Sequence, residues 1–550
     1  MAAHVFVVPG TLNALHCDDV VVPTDHRGVG GVKAHFRAPL GWRNRDDVPD
    51  WARDRRLDDR HRYLQLDPAG PPGDGPARWL LHVGASSGSD VAWLRDGIRQ
   101  VLIAIAGSGR RPSAIQRRVA IPVVGVGRGG FGQRRGAVIA ALLEELQAAP
   151  DELDIVLVAS NRSDYSALQA HRAAQASGRL EDALEHAAGV LAERARQGQL
   201  AVFMGAGTGV AAGLPSWGEL LDRLAEALNV PGGAAALSRF GPLDAAEVLR
   251  KQAKAEASSG AVDGAGEKTL GDHVAAVLGR PQRYGLSHVL LASLDVDQVI
   301  TTNFEDLYEK AVIAVSGRDV PVVLPDRYPA EDIREGRGWL LKLHGDAGRS
   351  KSIVLDRRSF VRYDATRRPL ASVLQATLLT RHLLVVGASM TDDNVIRLVH
   401  EVASLNEDHG RPHEMGTLVT LEERPLAKTL WEPEFRILSL GKAAPTGETK
   451  EQAAERLAQA GRQLEILLDR VATLAARDAV QHLLDSRYRD LFVPEEDTEA
   501  ERRTAESLAS AADSIRAFLP RSTRHAEWRA VLDQLERWGA RGAGAREEER

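Results

Sequence analysis

The stretch QLAVFMGAGTGVAAGLPSW, residues 199–217, decides the fold of the larger part of this chain. Residues 200–204 form a short apolar run, which is typical of a buried strand. Gly205 and Gly207 follow at once, and SWGE at 216–219 has capping-box spacing, so a helix is predicted to begin there. In α/β folds such a strand, turn and helix commonly hold a pyrophosphate, because glycine lets the backbone approach and free N–H groups face the anion. A purely structural turn is the alternative for this stretch alone.

Composition limits the classes of protein to consider. The chain has 550 residues, too many for one compact core, and its length suggests about three domains. The net charge of -6 gives no basic signature for nucleic-acid binding, and no apolar run reaches the ~18–20 residues that span a bilayer. The single cysteine, Cys17, excludes an intramolecular disulfide and a four-thiolate zinc site. We expect a cytoplasmic protein with no metal, no membrane contact and no nucleic-acid partner.

Residues 1–175 alternate apolar runs with helical patterns and are predicted to form a complete α/β domain. Two loops in this domain are rich in glycine, DHRGVGG at 25–31 and GVGRGGFG at 125–132, which suits a ligand that carries phosphate. Tight turns without a ligand are the alternative. Strands are predicted at 4–10, 19–25, 79–84, 118–127 and 154–160. The candidate ligand residues are Asp25, Gly30, Gly31, Gly125, Gly127, Gly129, Gly130 and Phe131.

The rest of the chain is predicted to contain one further α/β domain with helical segments on either side. Residues 176–198 are amphipathic and charged, which indicates a helical linker. Residues 199–475 repeat the alternation of apolar strands and helices that is typical of a parallel sheet. Residues 476–550 are predicted to be a helical extension that ends in a disordered tail.

Three more strands of the second α/β domain end in polar residues. Asn303 follows the run VITT, His344 follows WLLKL, and Gly387 with Ser389 follows LLVV, just before a helix that begins near Asp392. Because parallel strands have their carboxyl ends at one edge of a sheet, these side chains are predicted to surround one ligand. Histidine is the natural general base near neutral pH. Helix caps and structural polar groups are the alternatives for each strand end taken alone.

The four strand ends together resemble the sirtuin-like family, specifically its bacterial branch in anti-phage defence, over about residues 199–440. The resemblance implies a Rossmann-like domain that binds NAD as a substrate, and the single cysteine leads us to expect no metal there. It implies that Asn303 orients the nicotinamide ribose or a water molecule and that His344 is the base. The NAD-binding residues it implies are Gly205, Ala206, Gly207, Thr208, Pro215, Ser216, Thr302, Asp346, Gly387, Ser389 and Asp392.

Departures from the sirtuin pattern narrow the range of activities to expect. Gly209 stands where a serine is usual, Glu305 replaces an aspartate, and Ser216-Trp217 replaces the Phe-Arg of protein deacetylases. The four-cysteine zinc module of deacetylases is also absent, since the chain has one cysteine. The resemblance therefore favours an NAD glycohydrolase of anti-phage defence, which releases nicotinamide and ADP-ribose. An NAD-dependent deacylase or ADP-ribosyltransferase, and a non-catalytic scaffold that binds NAD or ADP-ribose, remain the alternatives.

Residues 4–165 resemble a macro domain, the three-layer α/β fold that binds ADP-ribose. The matching stretches are GTLNALHCDDVVVPTD, GVGGVKAHF, VAIPVVGVGRGGFG and DIVLVAS. Thr11 stands where macro domains have an acidic residue, and Pro23-Thr24-Asp25 stands where hydrolytic ones have an asparagine pair. This resemblance implies a binding module that senses an ADP-ribose-type signal and regulates the NADase. Enzymes of the sirtuin-like group often assemble, so a homo-oligomer is expected.

Overall fold

The chain divides into two compact units, and a computed structural model describes most of each. One unit contains residues 1–179 and 476–550, and the other contains residues 180–475. The segment that the sequence assigned to a linker therefore belongs mainly to the second unit. The structure describes residues 2–43, 47–67, 75–84, 90–109, 115–127, 130–174, 180–259, 268–324, 327–334, 336, 338–410, 414–476, 487–488 and 491.

The first unit contains a six-stranded sheet in the order β1-β6-β5-β2-β4-β3. All neighbouring strands are parallel except β3, which is antiparallel to β4. The strands are β1 (Val5–Pro9), β2 (Asp19–Thr24), β3 (Tyr63–Gln65), β4 (Ala77–His82), β5 (Arg117–Pro122) and β6 (Leu153–Ala159). The helices are α1 (Asp50–Arg53), α2 (Val91–Ala106), α3 (Arg135–Gln147) and α4 (Arg162–Ala174), with 3₁₀ turns at Leu12–Ala14, Gly28–Gly31 and Ala34–Phe36.

The α/β class predicted for this unit is confirmed, and all five predicted strands are present. The sequence missed β3, because three residues at the edge of a sheet are too short to display a period. Tyr488 and Leu491 pack into the core of this unit, against the α2, α3 and strand residues. Apart from Ala476 and Arg487, the rest of the predicted C-terminal helices and tail lies outside the described residues. The macro-like assignment stays a prediction.

The second unit contains seven strands, all parallel, in the order β13-β12-β11-β7-β8-β10-β9. They are β7 (Leu200–Met204), β8 (Gln298–Thr301), β9 (Val322–Val323), β10 (Trp339–Lys342), β11 (His382–Val386), β12 (Gly416–Thr420) and β13 (Phe435–Ser439). The predicted parallel sheet is confirmed. The helices are α5 (Asp182–Arg196), α6 (Gly207–Val210), α7 (Trp217–Ala227), α8 (Gly233–Leu237), α9 (Pro242–Ser259), α10 (Leu270–Leu278), α11 (Leu286–Ser293), α12 (Leu307–Ser316), α13 (Ala330–Arg334), α14 (Arg357–Val361), α15 (Tyr363–Thr380), α16 (Asp393–Asp408), α17 (Pro425–Trp431) and α18 (Lys450–Ala475), with a 3₁₀ turn at Ser350–Ser352.

The strand order places a ligand crevice beside β7. The chain passes from β7 to β8 on one side and later adds β11 on the other side, so the direction of winding reverses between β7 and β11. Open parallel sheets bind their ligands at such a switch point, beyond the carboxyl ends of the strands. The predicted capping box of α7 is confirmed, with Ser216 and Glu219 exchanging hydrogen bonds. Among the helices described in either unit, none is long and apolar enough to cross a membrane.

Candidate active site

The glycine turn after β7 packs directly against the loop after β11. The N–H of Gly205 donates to the carbonyl of Val386 at 2.9 Å, and that of Gly207 donates to the carbonyl of Gly387, also at 2.9 Å. A Cβ atom on Gly205 would lie 2.5 Å from the Gly387 carbonyl oxygen, so no larger residue fits there. Gly387 has a φ of 68°, and a Cβ on it would lie 2.6 Å from the Thr208 nitrogen. These glycines are required for the two loops to meet.

Four backbone donors of this turn are already used. Besides the two bonds to the β11 loop, the N–H of Thr208 donates to Gly205 and the N–H of Gly209 donates to Ala206, at 3.1 and 3.0 Å. The sequence predicted free N–H groups that face a phosphate, and that expectation fails for these four donors. The β11 loop accepts from two of them, and the other two close the short helix α6, which begins within the turn.

A cavity of about 640 Å³ opens at the carboxyl edge of this sheet. Its walls include the aromatic rings of Phe203, Trp217 and Phe360. Nine of the residues that the sequence assigned to the site line the cavity: Gly205, Ala206, Gly207, Ser216, Thr302, His344, Gly387, Ser389 and Asp392. The lining does not include Thr208, Pro215, Asn303 or Asp346. The four strand ends therefore meet at one cavity, with Asn303 behind its surface.

His344 forms a close pair with Asp392 on the cavity wall. Nε2 of His344 lies 2.7 Å from Oδ2 of Asp392, and both side chains are largely buried. Asp392 also caps α16 by accepting from the N–H groups of Asn394 and Val395. Burial opposes the charge of Asp392, but the contact with His344 and these N–H groups outweigh it and hold the pKa of this carboxyl below its usual range.

This pair selects one tautomer of the neutral imidazole. A carboxylate can only accept, so Nε2 of His344 carries the proton in the neutral ring and Nδ1 keeps a lone pair. Nδ1 has no hydrogen-bond partner among the described residues. His344 thus lines the cavity with Nε2 paired to Asp392, while its Nδ1 is a buried nitrogen without a partner among the described residues.

The Asn303 carboxamide is held in one orientation from behind the cavity. Thr208 Oγ1 donates to the carbonyl of Gly205 at 2.8 Å, so this hydroxyl accepts when Nδ2 of Asn303 lies 3.2 Å away. Nδ2 also donates to Oε1 of Glu305 at 3.0 Å. Both amide donors are thus used, and Oδ1 of Asn303 is buried without a partner among the described residues. Asn303 does not cap α12, whose N-terminal cap is Asp306.

The buried side chain of Lys342 contacts the segment that follows Asn303. Nζ of Lys342, with a fully buried side chain, lies 3.0 Å from Glu309 and 2.6 Å from Asp346, and it donates to the carbonyl of Glu305 at 2.7 Å. Burial opposes the charge of Lys342, but the carboxylates outweigh it and raise the pKa of the amine. Burial raises the pKa of Glu305 and Glu309. Asp346, predicted to bind NAD, therefore pairs with Lys342 rather than lining the cavity.

Sequence reasoning missed Lys342, although one signal was present. A lysine interrupts the apolar run WLLKL, and a charge inside a buried strand needs partners. Arg357 was also missed, and nothing in its local sequence indicated that it lines the cavity. Asp392 was assigned to the NAD-binding residues, and sequence reasoning missed its contact with His344.

The candidate ligand residues of the first unit are partly engaged in structural contacts. Arg27 bonds to the Asp25 carboxylate through its backbone and its guanidinium, and this hydrogen bonding lowers the pKa of Asp25. Phe131 is buried in the core and donates its N–H to Gly125. A Cβ on Gly31 would lie 2.1 Å from Oδ1 of Asp25. Gly30, Gly127 and Gly130 lie in the same two loops, and Gly129 lies outside the described residues.

The comparisons with known proteins agree with this geometry. Residues 297–437, which carry Asn303, His344 and the β11 loop, match the family model described as a SIR2-like domain. This part of the chain is therefore similar to a SIR2-like domain, a likeness with which its parallel sheet is consistent.

Several curated proteins are similar over part of their length. An "NAD(+) hydrolase ThsA" of Enterococcus faecium is 28% identical over 40% of this chain and 43% of its own. A protein of the same name from Acinetobacter baumannii is 23% identical over 40% of this chain and 42% of its own. "Defense-associated sirtuin 2" of Bacillus subtilis is 27% identical over 40% of this chain and 20% of its own. The chain thus spans about two-fifths or less of the length of these relatives.

Proposed function

We propose that this chain is an NAD glycohydrolase, which converts NAD and water to nicotinamide and ADP-ribose. The observation that carries the proposal is the His344–Asp392 pair on a cavity of a SIR2-like domain, at the switch point of a parallel sheet. Relatives named NAD(+) hydrolase support the same reaction. NAD is accordingly the substrate and the ligand of this cavity.

In the proposed reaction His344 is the general base. The bond between the anomeric carbon and the nicotinamide nitrogen breaks, and its electron pair leaves with nicotinamide. The oxygen of water bonds to the anomeric carbon, and the proton that it loses passes to Nδ1 of His344. Asp392 then faces an imidazolium and stabilises it through Nε2, as a carboxylate does in other His–Asp pairs. This step uses the nitrogen that is unpartnered among the described residues.

Asn303 supplies a fixed hydrogen-bond acceptor. Because Thr208 and Glu305 use both protons of its amide, Oδ1 is the atom left to accept. It is buried behind the cavity lining, so the proposal requires a ribose hydroxyl or a water molecule to reach it past the lining residues. Ser389, which shares a hydrogen bond with Thr391, and Thr302 add hydroxyl groups to the cavity wall for the ribose side. Orientation of this kind lowers the entropy cost of reaching the transition state.

The test is nicotinamide release from NAD by the purified full-length protein. His344→Ala and Asn303→Ala are expected to lose at least 100-fold in kcat, within the range of a general base and an oriented polar group. His409→Ala, an exposed histidine at the end of α16, is the matched control. A wild-type protein that releases no nicotinamide, with or without added ADP-ribose derivatives, contradicts the proposal. Release that depends on an acyl-lysine peptide would indicate a deacylase instead.

The proposal extends to the role of the whole chain. We infer a cytoplasmic effector of anti-phage defence, which forms homo-oligomers and whose first unit binds an ADP-ribose-type signal that controls NAD cleavage. Control of this kind requires the signal to bind two states of the protein with different affinity. Calorimetric titration with ADP-ribose tests binding of the signal, and light scattering tests oligomer formation. Nicotinamide release at increasing ADP-ribose concentration tests control of NAD cleavage. A chain that neither binds ADP-ribose nor changes its rate would contradict the regulatory part.

A further inference from the structure

One wall of the cavity is formed by the beginning of α9 and by α14. Gly241, Pro242 and Leu243 contribute from α9 and the turn before it, and Arg357, the first residue of α14, also lines the cavity. Arg357 is the only lysine or arginine in the lining that the described residues form.

An anionic ligand would find few other favourable groups in this cavity. Four N–H groups of the glycine turn, those of Gly205, Gly207, Thr208 and Gly209, are used within the protein. The two acidic residues in the lining, Asp392 and Asp393, repel negative charge. The turn before α7 has Ser216-Trp217 where protein deacetylases have Phe-Arg, so it brings no cation either.

The guanidinium of Arg357 is currently held by a carboxylate on α9. Nη2 of Arg357 lies 3.0 Å from Oδ2 of Asp244, and Nε bonds to Oδ1. The side chains are 48% and 47% exposed, so water screens the pair and its disruption costs little. This fork-to-carboxylate geometry is the one that arginine also uses to bind phosphate oxygens.

We propose that Arg357 binds the diphosphate of NAD and exchanges the carboxylate of Asp244 for phosphate oxygens when the dinucleotide enters. Asp244 is then an internal competitor of the substrate. This inference rests on the proposed function, because it takes NAD as the ligand of the cavity.

The two residues of the pair therefore have opposite effects on affinity. Loss of Arg357 removes a phosphate ligand and weakens NAD binding. Loss of the Asp244 charge frees the guanidinium and strengthens NAD binding. If the pair merely held α9 and α14 together, loss of either residue would change NAD affinity in the same direction. The direction of the change on loss of the Asp244 charge therefore separates a ligand role of Arg357 from a purely structural one.

The experiment measures NAD binding by calorimetry in full-length His344→Ala protein, in which the substrate stays intact. In this background Arg357→Ala should raise Kd about 10- to 100-fold, the range of one or two charge-assisted hydrogen bonds. Arg357→Lys, which keeps the charge and loses the fork, should lie between. Asp244→Asn should lower Kd by about 2- to 5-fold. Arg358→Ala, the exposed neighbour on α14 that does not line the cavity, is the matched control and should leave Kd unchanged.

The outcomes separate this inference from the proposed function. If the parent protein binds NAD and Arg357→Ala binds it within twofold, Arg357 is not the diphosphate ligand and the inference is overturned. An Asp244→Asn protein that binds NAD more weakly overturns the exchange. If the parent protein does not bind NAD at all, the proposed function fails as well. In the active enzyme Arg357→Ala should raise KM for NAD and change kcat by less than about threefold, because Arg357 positions the substrate away from the reacting bond.

Discussion

Replacing Thr208 by valine tests whether Asn303 owes its orientation to a single hydroxyl. Thr208 is 1% exposed, and its Oγ1 makes two hydrogen bonds, to the carbonyl of Gly205 and to Nδ2 of Asn303. Valine has nearly the same shape and makes neither bond. At about 0.5–1.5 kcal/mol each, the two lost bonds lower the unfolding free energy by about 1–3 kcal/mol. In a protein of this size that corresponds to a fall of a few degrees in the melting temperature.

The effect on activity should be larger than this loss of stability suggests. With one acceptor removed, the carboxamide of Asn303 is held through Glu305 alone, and the position of Oδ1 becomes less defined. We expect kcat for nicotinamide release to fall about 10- to 100-fold, which corresponds to about 1.4–2.8 kcal/mol of transition-state stabilisation. Thr208→Ser keeps the hydroxyl and should retain most of the activity. Stability is followed by thermal unfolding of the same samples.

Two results would refute this reasoning. A Thr208→Val enzyme that melts lower but keeps its kcat would show that the hydroxyl stabilises the turn without positioning Asn303. A Thr208→Ser enzyme as slow as the valine variant would show that the methyl group, which packs near Gly387, matters more than the hydrogen bond.

Three further predictions concern the second unit. Lys342→Met should lower the unfolding free energy by about 3–5 kcal/mol, because it leaves buried carboxylates without their cation. Burial already raises the pKa of Glu305 and Glu309, so the loss of unfolding free energy in Lys342→Met should grow as pH rises above the ordinary pKa of these carboxyls. Melting curves at pH 5 and pH 8 check that the loss is larger at pH 8. Burial lowers the pKa of His288 to about 4 from 6.5. The stability that the neutral ring contributes above pH 6.5 is therefore lost as pH falls toward 4, by about 3 kcal/mol. His288→Leu should flatten that part of the acid-unfolding profile, and an unchanged profile would contradict the role given to His288. Gly205→Ala should abolish nicotinamide release and lower the melting temperature, since its Cβ would meet the Gly387 carbonyl; an active, stable variant would show that the two loops can separate.

The parts of the fold that are local in sequence could be predicted. The apolar run of β7, the glycines after it and the capping box of α7 each lie within a few residues, and all are present in the structure. The order of the strand ends also indicated one crevice, because parallel strands share a carboxyl edge. His344, Gly387 and Asp392 line one cavity as that argument requires.

The contacts that define the site could not be predicted, because they join distant segments. Asn303 and Thr208 are 95 positions apart, and neither residue's neighbours indicate that they share a hydrogen bond. The pairing of His344 with Asp392 depends on how β10 and the β11 loop are placed in the sheet. The use of the turn's N–H groups depends on the β11 loop, whose carbonyls accept two of them. Local patterns identify candidate residues, whereas their chemical state is set by tertiary contacts.

The two departures from the sirtuin pattern at Gly209 and Glu305 are explained by one piece of geometry. A Cβ on Gly209 would lie 3.7 Å from Oε1 of Glu305 and 3.1 Å from Leu214. A serine at position 209 would therefore begin beside this carboxylate and compete for it, whereas glycine leaves Oε1 to Asn303. A glutamate is one methylene longer than the usual aspartate, and its carboxylate reaches contact distance of a side chain at position 209. On this argument the two positions are coupled: Gly209→Ser alone should disturb Asn303, and Glu305→Asp in the same chain should partly restore it.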